Sequence, residues 1–153
     1  MATQIGWERE PLHGEDFSAW ARRQADLLRA RRFVDLDLER LILEVEDLGE
    51  SEYRSVRSRV RTILEHLLKL EHSPAPEPRT GWRETVRTQR ADLDEDLTPA
   101  LRARVEAELP RIHAKARRDA AATLRDYGED AAADALPDLC PYTLDRIVSD
   151  WLP

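Results

Sequence analysis

Glycine is scarce in this 153-residue chain, with five copies, and aromatic residues number only nine. Both shortages weigh against a many-stranded β architecture, which draws on glycine for its turns and on aromatic or β-branched runs for its strands. A single cysteine, Cys140, leaves no internal disulfide and fits a reducing compartment. The start, "MATQIGWEREPLHG", lacks the basic end and apolar stretch of a secretory signal. Apolar runs are as short as "LIL" at 41–43, far from the roughly 18 apolar residues of a membrane span. The expectation is a cytoplasmic, soluble protein with no membrane partner.

Metal and nucleotide signatures are absent too. There is no HExxH or CxxC, and the glycines are too scattered for a phosphate-binding loop. The one Glu-x-x-His spacing, Glu10 to His13, is interrupted by Pro11. No cofactor and no metal are expected, and "EVED" at 44–47 reads as a solvated face. Cys140 stands at a helix entrance, but with no base beside it the structural reading is preferred to a reactive thiol.

What the chain has in quantity is charge, at 36% of residues against a usual quarter. Acids exceed bases, for a net charge of −7, which disfavours a broad nucleic-acid or anionic-membrane surface. The excess is uneven: residues 1–50 carry −5, residues 51–92 carry +3 and residues 93–153 carry −5. Arg54, Arg57, Arg59 and Arg61 crowd one segment of the basic centre, and Arg79, Arg83, Arg87 and Arg90 the next. Acidic residues interspersed on the same elements point to internal ion pairing, so nucleic acid is not the expected partner.

Hydrophobic spacing is helical throughout. Phe17, Trp20, Ala21, Gln24, Leu27 and Leu28 mark a first amphipathic helix over 15–31. A short second helix, capped by Asp35 or Asp37, turns Leu38, Leu41, Ile42, Val45 and Leu48 inward and ends at a left-handed Gly49. Ser51 caps a third, in which Tyr53, Val56, Val60, Ile63, Leu67 and Leu70 repeat at steps of 3, 4, 3, 4 and 3, the seam of a helix packed along another. "SPAPEP" stops it, since proline lacks the amide donor and restricts its predecessor. Thr80 caps the restart, with Trp82, Val86, Gln89, Leu93 and Leu97 on its stripe. Thr98-Pro99 opens a helix with Leu101, Val105 and Leu109 inside. Pro110 starts or kinks a further stretch, Ile112 to Tyr127, that ends at Gly128. "EDAAADALPDL" reads as a surface connection and "CPYTLDRIV" as one short closing helix. The fold class is therefore all-α: a single compact bundle of five or six helices over residues 15–153, with a proline-rich turn between the third and fourth, after an N-terminal extension at 1–14.

The segments "DFSAWARRQADLLRARRFVDLDLERLILEVEDLGESE", "HLLK", "GWRETVRTQR" and "CPYTLDRIVSDWLP", in this order, resemble the bacterial family catalogued as domain of unknown function 29, over about Glu15 to Pro153. The resemblance implies a small, nearly all-helical protein and brings no activity, cofactor or catalytic residue. The family pattern is more basic around the proline joint and has an aromatic where Leu70 stands.

The candidate site lies at that joint. His66, Lys69, Trp82, Arg83, Gln89 and Arg90 gather around the prolines, and together a histidine, several cations and an indole suit a carboxylate or phosphate. The competing reading is structural: basic stems cover Trp82 while their charged heads stay in water. Gln24 and Gln89 fall inside apolar stripes, so both are expected inward, with Gln89 bonded to neighbouring helices and Gln24 among its candidate partners. His66, Lys69, Arg83 and Arg90 are expected nearer the rim. The functional expectation is a non-catalytic interaction or regulatory module with an unidentified protein partner. The alternative is a small-molecule or anion binder, or an enzyme, using the joint around His66 and Arg90.

Overall fold

A computed structural model describes residues 16–153, all-helical and without a strand among those residues. The chain divides into two compact units, residues 1–50 and 51–153.

In the first unit, α1 spans Phe17–Arg29. Asp16 caps it, its carboxylate accepting from Ala19 N at 2.9 Å. Trp20, Gln24 and Leu27 form its buried face, and Phe17 stacks on Trp20 with ring centroids 5.8 Å apart. The helix ends on Arg31 in the left-handed region at φ 56°, with Arg32 N bonded to Leu27 O and Arg31 N to Leu28 O. That is a Schellman end with arginine where glycine is usual. A single 3-10 turn, Phe33–Asp35, leads to α2, Leu38–His72. Asp37 receives Arg40 N on its carboxylate, so of the two candidate caps Asp37 is used.

The expected break at Gly49 is not present, because α2 runs straight through it. Glycine inside a helix costs about 1 kcal/mol relative to alanine. Strong helix formers on both sides offset that, and Gly49 shows no left-handed φ. The second and third expected helices are thus one element of 35 residues.

The second unit begins at Ser51 within α2. All six seam residues from Tyr53 to Leu70 are buried, with Leu64 and Leu68 beside them. Ser73, Ala75 and Arg79 then brace the proline joint: Ser73 N bonds to Lys69 O, Ser73 Oγ accepts from Ala75 N, and Ser73 O accepts from Arg79. The next helix, α3, spans Arg79–Asp96 and starts behind Pro78 rather than at a Thr80 cap. Helix α4 spans Pro99–Asp126 and opens as expected, Thr98 Oγ1 accepting from Leu101 N. It continues through Pro110. That residue is exposed, so water can serve the carbonyl left without a donor one turn earlier. Gly128, at φ 76°, ends the run in the left-handed region.

Two short helices complete the unit, α5 at Asp130–Asp134 and α6 at Leu144–Val148. The segment around α5 is no surface connection: Ala133 and Leu136 belong to the same core as α2, α3 and α4. Small residues defeat a periodicity reading there, because alanine buries too little area to stand out.

Candidate functional site

At the joint, the charged side chains expected at the rim are largely inside. Lys69 is only 3% exposed. Its Nζ donates to Glu65 Oε1 at 2.7 Å and lies 5.3 Å from the centroid of the buried Trp82 ring. One turn earlier, His66 Nδ1 donates to Thr62 O at 2.8 Å, which leaves Nε2 as the imidazole's acceptor. Burial, and then the neighbouring Lys69 charge, push the His66 pKa below its ordinary value. Arg83 is half-buried. The structure therefore brings Lys69 and Trp82 into contact, with the lysine already paired to a carboxylate one helical turn away.

Gln89 and Arg90 exchange their expected places. Gln89 is half-buried, whereas Arg90 is 9% exposed. Arg90 Nε donates to Ile147 O and its terminal nitrogen to Trp151 O, both at 2.8 Å. Ile147 lies in the last turn of α6, where carbonyls have no partner within the helix and attract positive charge. Burial lowers the Arg90 pKa, and Asp150 opposes that shift. In the first unit Gln24 is buried as expected, and its Oε1 accepts from Asp37 N at 2.9 Å while Trp20 Nε1 donates to Asp37 Oδ2.

Other contacts hold the end of the chain in the same way. Tyr142 donates its hydroxyl to Glu71, and its ring meets Trp151 at 5.6 Å. Arg146 lies over the Trp151 ring at 3.8 Å, and Arg102 pairs with Asp145. Burial, then the Glu71 bond, push the Tyr142 pKa up. The segments "HLLKLE", "GWRETVRTQR" and "CPYTLDRIVSDWLP", remote in sequence, thus meet as a clamp on the C-terminal residues. Cys140 is half-buried, its Sγ donating to Tyr142 O, and burial raises its pKa, away from thiolate chemistry. The Glu10–His13 spacing lies outside the described residues. Among those described, no group of three or more potential metal ligands occurs, and no helix is long and apolar enough to cross a membrane.

Three features escape the sequence reading. His113, on α4, is fully enclosed with Nε2 unpartnered. Burial and the nearby Arg117 lower its pKa, against an opposing effect of Asp138. A cleft of about 130 Å³ between α2 and α4 gathers Arg54, Arg57 and Arg61 with Arg111 and Lys115. The arginines of α2 are visible in sequence as a cluster, but their α4 neighbours are some fifty positions away. Third, the apolar face assigned inward at the start of α2 is outside: Leu38, Ile42, Val45 and Leu48 are 48–66% exposed. Phe33 and Val34, just before it, are also exposed, and Leu41 is half-buried.

These geometries define an all-helical protein whose polar side chains around the joint mainly hold its own chain together. The chain belongs to the family described as Domain of unknown function DUF29, whose model matches residues 12–152. No curated protein and no solved structure matches it.

Proposed function

We propose that this protein is a non-catalytic interaction module that docks an amphipathic helix of another protein on the first three turns of α2. The observation that carries the reading is the exposed stripe Leu38, Ile42, Val45 and Leu48. Isolated exposed leucines are ordinary, but a stripe at helical spacing is the form in which one helix offers a seam to another. Around the stripe, residues 38–50 carry five acids, Glu39, Glu44, Glu46, Asp47 and Glu50, against one base, Arg40. Two copies would bring like charges together, so charge complementarity favours a partner helix with basic flanks. The occupied state of Lys69 and Arg90 supports the same reading, since both are engaged within the protein.

The test uses fluorescence anisotropy with two synthetic helices that share a leucine seam, one flanked by lysine and one by glutamate. The lysine peptide should bind at least about tenfold more tightly, a difference of roughly 1.4 kcal/mol. Ile42→Asp with Val45→Asp should abolish that binding while leaving thermal stability nearly unchanged, because both positions are exposed. Equal affinity for the two peptides, binding that survives the double substitution, or a stability loss above about 1 kcal/mol refutes the proposal. Concentration-dependent dimerisation through this stripe in light scattering refutes it in favour of a second copy.

A further inference from the structure

We propose that the cleft between α2 and α4 is a binding site for a compact tetrahedral oxyanion of the phosphate type, either free or as the terminal group of a small phosphorylated molecule. The site lies wholly within residues 51–153 and is independent of the stripe at the start of α2.

Helical register builds it. Arg54, Arg57 and Arg61 fall at i, i+3 and i+7 and share one face of α2, while Arg111 and Lys115 fall at i and i+4 on α4. All five line the cleft, with Glu108 as its single carboxylate among the described residues. Ser58 adds a hydroxyl on the same face as the arginines. Part of the carboxylate's charge is directed elsewhere, since Arg104 lies 3.9 Å from Glu108. Asp119 reaches Arg61 from outside the lining, at 3.8 Å. The contrast within α2 is informative: Arg59, on another face, meets Asp92 at 2.6 Å and Asp96 at 3.6 Å. The cleft lining itself still carries five bases, Arg54, Arg57, Arg61, Arg111 and Lys115, against the one carboxylate of Glu108.

Like charges one helical turn apart destabilise a helix, and five around one concavity raise the local potential. A bound dianion reverses that effect, and guanidinium groups present paired donors suited to phosphate oxygens. Arg57 lies beside the Tyr53 ring, its guanidinium 5.5 Å from the centroid, while Arg104 sits over the same ring at 3.6 Å. Size selects the ligand class. The cleft's 130 Å³ is below the roughly 300–1,000 Å³ of pockets that enclose whole drug-sized molecules. It therefore takes an anionic group rather than an entire large ligand. The net charge of −7 opposes a long polyanion, which would meet acidic surface beyond the cleft.

Isothermal titration calorimetry on the full chain, with inorganic phosphate, pyrophosphate and glycerol phosphate as separate probes, tests the site against sodium chloride at matched ionic strength. Saturable binding of at least one phosphate probe, absent with chloride, is expected. Phosphate alone indicates a free-ion site, whereas preference for glycerol phosphate indicates a phosphorylated small molecule; either supports the proposal. Arg111→Gln with Lys115→Gln should weaken binding by at least roughly tenfold with a melting temperature without ligand that is unchanged or slightly raised, because both side chains are exposed and their mutual repulsion is removed. Heats no larger than those of chloride overturn the proposal, as does binding unaffected by the double substitution. So does single-stranded DNA binding more tightly than every phosphate probe, which would assign the cleft to a nucleic-acid surface.

Discussion

Replacing Arg90 with methionine should destabilise the protein by about 2–4 kcal/mol, although a basic residue on a helix flank would ordinarily be dispensable. The magnitude follows from its two bonds. A hydrogen bond with a charged donor contributes about 1.5–3 kcal/mol, and Arg90 makes two, to Ile147 O and Trp151 O. Their sum is reduced because methionine removes a guanidinium whose burial is itself unfavourable, as the lowered Arg90 pKa indicates. The remaining loss is dominated by the Ile147 carbonyl, which becomes a buried acceptor at a helix end without a donor. Arg90→Lys keeps the charge but lacks the fork that serves two carbonyls, so it should recover only part of the difference. Urea denaturation followed by circular dichroism measures the loss. Hydrogen exchange over residues 144–152 locates it, since these amides should lose protection before the rest of the second unit. A change below about 0.5 kcal/mol with unaltered exchange at the C-terminus would refute the clamp.

Acid should weaken the fold through its histidines. His66 and His113 both have lowered pKa values, chiefly from burial. Their contribution is fully present above the unfolded value near 6.5 and is lost as pH falls through the window down to the depressed folded values, where the unfolded chain binds more protons. The slope is at most about 1.4 kcal/mol per pH unit for each histidine. His113→Leu should reduce it, and an unchanged slope in urea melts between about pH 5 and 6.5 would show that His113 does not titrate on unfolding. Trp82→Ala should cost about 3–5 kcal/mol, because the indole is in the core and also carries the contact with Lys69. Thermal melts showing less than about 1 kcal/mol would contradict that placement.

Sequence by itself determined the elements whose chemistry is local. The seam from Tyr53 to Leu70 is readable because large apolar residues at steps of three and four can be buried together only on one face of a helix. Thr98-Pro99, Gly128 and the proline joint are readable because capping, left-handed backbone and a missing amide act within a few residues. Tertiary structure decided the rest. Leu38 to Leu48 has the same helical periodicity as the buried seam, yet Leu38, Ile42, Val45 and Leu48 are exposed, because periodicity marks a face and does not supply what covers it. Gly49 and Pro110 carry stop signals that their exposed settings and strong helical flanks override. The exchange between Gln89 and Arg90 has the same origin: adjacent side chains on a helix point about 100° apart, and the one turned toward α6 is the one that goes inside. There, the unfilled carbonyls of a chain end 57 residues downstream give a buried guanidinium the acceptors it requires.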